Sequence, residues 1–343
     1  MADQRILVTG GSGFIAGHII LQLLGSGHEV RATIRSLGRE DAARAALAEA
    51  GMTDGDALRF VAADLLDDAG WADAMDGVDA VLHVASPVHV GPVEDEDEVI
   101  VPAREGTLRV LGAAQNARVP RVVLTSAFHA VGFGHPPLGR AFTEADWSPL
   151  DGPGMDAYGR SKVLAERAAW ELLAGGPTEL VTLLPVAVVG PLIGTGISGA
   201  NHLVRRVLTG ELPAYPDFAV PFVDVRDVAA AHVAAITAEG AAGERFLLAS
   251  QEDAVPLAEV GAVLRDALGE RASRVPPATA LLPDAAVRSA AEANPGMRPL
   301  AAELGYRKKV SSEKARRALG FRPRPWEEAV TAAAESMLAT GLA

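Results

Sequence analysis

Short apolar runs and longer stretches with helical spacing alternate through the first half of the chain. Residues 5–9, Arg-Ile-Leu-Val-Thr, form a brief apolar run that stops at Gly10, Gly11 and Gly13. A helical pattern of apolar positions follows from Phe14 to Leu24 and closes at Gly25 and Gly27. The same alternation predicts strands over 28–34, 58–62, 79–84, 121–125 and 179–184. Between them it predicts helices over 39–50 and 94–117, and a third around Tyr158. The acidic residues from Glu94 to Glu98 sit at a helix start, where the dipole favours negative charge. Residues 190–220 are rich in Gly and Pro and read as a lobe over the sheet edge. A strand over 244–249 returns to the sheet, and the remainder to 343 reads as helices with proline-rich joints. Strands alternating with helices predict an α/β chain with a doubly wound parallel sheet and a smaller, mostly helical C-terminal lobe. In such sheets ligands lie beyond the carboxyl ends of the strands. That edge collects the Gly10 loop, Asp64, Ala85, Ser86, Thr125, Ser126 and Pro185.

A glycine turn between a first strand and a first helix is an anion site. Backbone N–H groups and the positive end of the helix dipole point at the same place. Gly10 turns tightly, Gly13 lets the backbone approach a pyrophosphate, Phe14 and Ile15 open the helix, and Ala16 packs on the sheet. The spacing is Gly-x-x-Gly-x-x-Ala, and its place between strand and helix is what gives it meaning. The plain alternative is a turn with no ligand. The second strand ends in Arg35-Ser36, with Arg39 soon after and no carboxylate before Glu40. A site for NAD carries an acidic residue there, whereas an arginine suits the 2′-phosphate of NADP. A solvated surface arginine is the competing reading. The expected division is an NADP-binding domain of residues 1–189 plus about 222–249, and a substrate-binding lobe of about 190–221 plus 250–343.

Lysine is scarce: four in 343 residues, and none before position 162. The first, Lys162, follows Tyr158 by four positions on a segment rich in alanine and leucine with no internal proline. Positions i and i+4 share a helix face, so an ammonium stands beside a phenol. A phenol of pKa about 10 is a poor acid–base catalyst at neutral pH. A unit charge about 5 Å away is worth roughly 3 kcal/mol at an effective dielectric of about 20, enough to tune it substantially. Tyr158 and Lys162 are therefore the candidate proton donor and its tuner. A tyrosine packed on a lysine stem on an ordinary surface helix is the alternative.

Composition narrows the classes. Half the residues are apolar, so a sizeable core is available. Net charge is −13, which argues against nucleic acid and anionic membranes as default partners. Zero cysteines exclude disulfides, zinc–thiolate sites and cysteine nucleophiles. No metal-ligating pattern stands out. No signal peptide is visible and the longest apolar stretch, about 180–194, is broken by Pro185, Gly190 and Pro191, so a cytoplasmic protein is expected.

Taken together, the chain resembles the extended short-chain dehydrogenase/reductase superfamily, in its branch of dihydroflavonol, cinnamoyl-CoA and microbial aldehyde/ketone reductases. The matching strings are Thr9-Gly-Gly-Ser-Gly-Phe-Ile15, Val30-Arg-Ala-Thr-Ile-Arg35, Ala63-Asp-Leu65, Leu82-His-Val-Ala-Ser-Pro87, Glu105-Gly106 and Val122-Val-Leu-Thr-Ser126. Tyr158 with Lys162, Pro185-Val-Ala-Val-Val-Gly-Pro191 and Phe222-Val-Asp-Val-Arg-Asp-Val228 complete them. The resemblance implies a Rossmann fold and an NADPH-dependent carbonyl reductase. It implies that Arg35 reads the 2′-phosphate, Asp64 bonds the adenine amino group with Leu65 beside it, and Lys162 holds the nicotinamide ribose. It further implies that backbone near Val188 holds the carboxamide and that Tyr158 protonates the carbonyl oxygen. One departure stands out: where the family carries Thr-Ser-Ser, this chain has Thr125-Ser126-Ala127, so the usual donor hydroxyl is missing. Ser126 is the favoured substitute; Thr125, a donor from His129, or simply reduced activity are the alternatives. Val88, Phe128, His129, Phe133, Leu192 and Phe222 are candidate walls for an apolar or aromatic carbonyl substrate, each equally explicable as core. A nucleotide-sugar epimerase or dehydratase that keeps NAD bound, and a non-enzymatic NADP sensor, are the rival functions. Monomer and homodimer are both open.

Overall fold

The alternation of apolar and polar positions becomes a sheet covered on both faces. The computed structural model describes residues 4–87 and 93–343. Six strands carry the first half: β1 (Arg5–Val8), β2 (Glu29–Ile34), β3 (Leu58–Ala62), β4 (Ala80–His83), β5 (Arg121–Thr125) and β6 (Glu179–Pro185). Between them lie α1 (Phe14–Gly25), α2 (Glu40–Glu49), α3 (Trp71–Met75), α4 (Asp97–Asn116) and α5 (Ala157–Leu173). Two short strands, β7 (Ala187–Val189) and β8 (Ala219–Val220), flank α6 (Asn201–Leu208). Then come β9 (Phe222–Asp224), α7 (Val225–Thr237), β10 (Arg245–Leu248) and β11 (Val255–Pro256). Helices α8 (Leu257–Leu268), α9 (Asp284–Ala293), α10 (Arg298–Glu303), α11 (Glu313–Leu319) and α12 (Trp326–Ala339) complete the chain.

The main sheet has seven strands in the order β10-β6-β5-β4-β1-β2-β3, and every pairing is parallel. The order reverses at β1, which makes a crevice beside the carboxyl ends of β1 and β4. Strand alternation assigns the two faces. Ile6, Val8, Val123 and Val181 point toward α1 and α7, in one cluster with Ile19, Ile20 and Leu23. Leu7, Val81 and Val122 point the other way, in a cluster with Val110, Leu111, Ala169 and Leu173 of α4 and α5. Each such side chain removed from water stabilises the fold by about 1.5 to 3 kcal/mol. Buried Arg31 donates to the carbonyls of Asp73, Ala74 and Asp76, tying α3 to β2.

A second cluster forms away from the sheet, among Val204, Val207, Phe222, Val260, Leu264, Trp326 and Val330 of α6, β9, α8 and α12. There β7 pairs with β9, and β8 with β11. Val310, Ala315, Leu319 and Phe321 join the sheet-side cluster instead, so the C-terminal third of the chain contributes to both. The pattern of elements follows the sequence expectation closely. Strand β1 ends one residue early because the hydroxyl of Thr9 turns to accept the N–H groups of Val84 and Ala85. Helix α4 begins at Asp97 rather than 94, and α3 and α7 were not anticipated. No helix among the described residues is long and apolar enough to cross a membrane.

Candidate active site

The glycine loop follows β1. Gly10 has φ +73°, a conformation L side chains avoid, and its N–H donates to Thr33 Oγ1 at 3.1 Å. A Cβ on Gly11 would lie 2.7 Å from the Cβ of Ala32, so nothing larger than glycine fits between loop and β2. Helix α1 starts at Phe14 with no side-chain cap, which leaves the N–H groups of Phe14 and Ile15 open. A backbone cradle with unpaired N–H groups, closed to side chains, fits the pyrophosphate of a dinucleotide. His18 bonds the carbonyl of Pro191 at 2.9 Å, and Ile193 packs on Gly17, so the segment after β7 lies across the start of α1.

The other expected residues stand at the same edge. Arg35 and Ser36 are exposed just past the end of β2. Asp64 follows β3, and one of its oxygens accepts the N–H of Leu66 at 3.0 Å. Leu65 packs on Gly106 of α4. Ala85 lies against Gly10, a Cβ on which would be 3.0 Å from that of Ala85. Pro185 is buried at the end of β6 and Val188 is half-buried in β7.

Tyr158 and Lys162 enter the edge from α5. The side chain of Asp156 caps that helix by accepting from the N–H of Gly159 at 2.7 Å. Lys162 Nζ lies 5.6 Å from the centre of the Tyr158 ring and donates to Ser86 Oγ at 3.2 Å, so α5 is joined to the loop after β4. Tyr158 is 43% exposed, the one aromatic ring among the exposed large hydrophobic side chains of the described residues. Its electrostatics differ from the expected acidification. Burial, helped by the Asp156 carboxylate, pushes the phenol up to about 12. Burial pushes the Lys162 ammonium down to about 8, against the opposing pull of Glu166. Lys162 is therefore already neutral at the pH where the phenol titrates, and its charge acts on the ring only below about pH 8. At neutral pH the pair consists of a protonated phenol beside a charged ammonium. Water on the open side of the ring limits how far burial can act on it.

Ser126 turns its hydroxyl to Glu166 and not to the phenol. Its hydroxyl donates to Glu166 Oε2 at 2.7 Å, and Glu166 stands eight residues after Tyr158 on α5. Eight residues are about 12 Å of helical rise. The hydroxyl expected to assist at the substrate is held instead in a buried network. Glu166 also accepts from Thr182 Oγ1 at 2.9 Å and from Arg245 Nε at 2.7 Å, and Arg245 lies over the Trp147 ring. Thr125 points to the opposite face of the strand, where its hydroxyl meets His232 at 2.7 Å. Ala127 continues the extended backbone at φ −157°, and it offers no hydroxyl. Phe222 is likewise core: it stacks on Trp326 with ring centres 6.3 Å apart. Val88 lies outside the described residues.

Besides Lys162, His129 is a second polar side chain that meets the Tyr158 ring. Its ring stands edge-on to the phenol at 4.9 Å and stacks on Phe133 at 4.1 Å and 5°. Lys308, from the C-terminal lobe, places Nζ 3.6 Å from the centre of the Phe133 ring. Lys308 is buried and forms an ion pair with Glu303 at 2.6 Å. Sequence reasoning missed Lys308 and the Glu166–Arg245 pair. Lysine scarcity was a signal for the first, and the position of Glu166 one turn after Lys162 was a signal for the second.

Comparison with known proteins fits this geometry. The family model described as the NAD dependent epimerase/dehydratase family matches residues 6–249. Cinnamoyl-CoA reductase 1 of Arabidopsis thaliana is 37% identical over 253 residues, covering 72% of this chain and 71% of that protein. Tetraketide alpha-pyrone reductase 2 of the same plant is 35% identical, covering 70% and 76%. Among solved structures, Gre2 of Candida albicans in complex with NADPH superposes with a TM-score of 0.78 at 25% identity, covering 98% of this chain and 99% of that one.

Proposed function

The chain belongs to the NAD dependent epimerase/dehydratase family, the extended short-chain dehydrogenase/reductases, and we propose that it is an NADPH-dependent reductase of aldehydes or ketones. The observation that carries this reading is the Tyr158–Lys162 pair, a protonated phenol beside an ammonium 5.6 Å from its ring, at the sheet edge that holds the glycine loop. Likeness to two plant reductases and to an NADPH-bound Gre2 structure supports it. The division into an NADP-binding part (1–189 plus about 222–249) and a substrate lobe (about 190–221 plus 250–343) is part of the proposal.

The Gly10–Ile15 loop would hold the pyrophosphate, Arg35 the 2′-phosphate, Asp64 and Leu65 the adenine, Lys162 the nicotinamide ribose and Val188 the carboxamide. When bound, the reduced dinucleotide supplies a hydride. Tyr158 holds the proton that the substrate oxygen receives. A phenol at about 12 remains a competent acid here. An alkoxide is nearly as basic as hydroxide and far more basic than a phenolate, so the transfer runs downhill. At neutral pH, where Lys162 is charged, its ammonium would stabilise the phenolate left behind by about 3 kcal/mol at an effective dielectric of about 20.

A panel of aromatic and aliphatic aldehydes and ketones, with loss of NADPH absorbance as readout, tests the reading. Turnover with NADPH supports it; tightly co-purified NAD with no turnover of any carbonyl contradicts it. Because Lys162 titrates near 8, kcat/KM for reduction is expected to hold below that pH and to fall above it. A pH profile of Lys162→Arg, whose guanidinium stays charged, should lack that alkaline limb. Arg35→Ala is expected to raise KM for NADPH roughly 10- to 100-fold, the worth of a charge-assisted pair of hydrogen bonds, with KM for NADH nearly unchanged. Steady-state kinetics with both dinucleotides check it, and equal effects on the two would remove Arg35 from the 2′-phosphate.

A further inference from the structure

A carbonyl under hydride attack gathers negative charge on its oxygen. Donors aimed at that oxygen in a site shielded from water supply much of the rate. The proton of Tyr158 is one donor. A second must lie within a side chain's reach of the phenol, and the obvious hydroxyls are elsewhere. Thr125 is bonded to His232, Ser126 to Glu166, and residue 127 is alanine. Ser86 accepts from Lys162.

We propose that the imidazole of His129 is a catalytic residue of this chain, donating an N–H hydrogen bond to the substrate's carbonyl oxygen beside the Tyr158 hydroxyl. The inference rests on the reductase reading. Three features support it. His129 is half-buried and its ring is edge-on to Tyr158 at 4.9 Å, so a group touching the phenol's edge is within its range. Among the described residues neither ring nitrogen has a hydrogen-bond partner, whereas the rings of His18, His83, His135 and His232 are each tied to a neighbour. The stack on Phe133, at 4.1 Å and 5°, fixes the ring plane.

The protonation state suits a donor rather than an acid. Burial, reinforced by the charges of Lys308 and Lys162, holds His129 down at about 3. The ring is neutral throughout the working range, with one N–H to donate and one lone pair. The electron count is that of ordinary reduction. Hydride adds to the carbonyl carbon, the C=O π pair moves to oxygen, and the Tyr158 proton closes the alcohol. His129 keeps its own proton and strengthens its bond as charge builds.

Two variants separate the donor from mere packing. His129→Phe keeps an aromatic ring on Phe133 but has no N–H. His129→Gln loses the ring and keeps an N–H of similar reach. With benzaldehyde and NADPH, His129→Phe is expected to lose about 10² to 10³ in kcat with little change in KM, and His129→Gln to recover most of the loss. A second readout needs no turnover. In isotope-edited infrared spectra of carbonyl-labelled acetophenone bound with oxidised NADP, the C=O stretch should fall further in wild type and in His129→Gln than in His129→Phe, where the Tyr158 hydroxyl is the one donor left. A stretch identical in wild type and His129→Phe, or no bound carbonyl signal at saturating acetophenone, overturns the inference. Normal turnover in His129→Phe overturns it too and leaves the reductase reading intact. A His129-dependent stretch in an enzyme that turns over no carbonyl supports the donor while contradicting the reductase reading.

Discussion

Tyr158→Phe lowers kcat/KM for carbonyl reduction by about 10² to 10⁴, the range that a positioned acid contributes. The variant removes one oxygen and leaves the ring. That ring is 43% exposed, and its neighbours His129 and Lys162 meet the ring rather than its hydroxyl. Folding therefore loses nothing measurable, and a thermal midpoint within about 1 °C of wild type is expected, as for a neutral surface change. Binding of NADPH, followed by fluorescence, should also be unaltered, because the expected cofactor contacts lie on the glycine loop, Arg35 and Lys162. A large loss of rate with unchanged fold and unchanged cofactor affinity is the signature of a proton donor. Rates within a factor of two of wild type would place the donor elsewhere.

Glu166→Leu is the variant expected to harm the fold most. Glu166 is 1% exposed and Arg245 8%, and the carboxylate accepts from Arg245, Ser126 and Thr182 together. Removing it leaves a buried guanidinium without its counter-charge and two hydroxyls without their acceptor. Breaking a buried ion pair from one side costs about 3 to 5 kcal/mol. For a chain of this size that is a fall in the thermal midpoint of roughly 5 to 10 °C. Replacing both partners, Glu166→Leu with Arg245→Met, should recover much of the loss, because two apolar groups leave no orphaned charge. A double variant as unstable as the single one would mean that packing, not charge, sets the cost. The gentler Glu166→Gln carries the effect to the site. Glu166 raises the titration of Lys162, so its neutralisation should move the alkaline limb of the rate profile below pH 8.

The sheet was legible because its strands are short, apolar and ended by glycine or polar turns. Residues 58–62 and 121–125 fall at their expected bounds for that reason. Helix α3 escaped notice because five residues are too few for a period to emerge. The glycine loop and the Tyr158–Lys162 pair were legible as local spacings. The direction of Ser126 is contained in the strand periodicity, though its partner Glu166 is not. Alternation puts Thr125 and residue 127 on one face and Ser126 on the other. The acidity of Tyr158 was misjudged for a different reason: spacing gives the distance to a charge, but burial of both groups is a tertiary property, and here it outweighs that charge. Lys308 meets the Phe133 ring beside His129 only through the packing of the C-terminal lobe, which no local pattern encodes.

The most direct test follows a label. NADPH deuterated at the transferable position of C4 is mixed with an aryl aldehyde and either wild-type protein or Tyr158→Phe. Deuterium is then sought on the carbinol carbon of the alcohol by NMR. Transfer by wild type, with a rate at least about a hundredfold lower in Tyr158→Phe, is the expected result. Alcohol without label, or equal labelling rates from the two proteins, would contradict a hydride-transferring reductase whose proton comes from Tyr158.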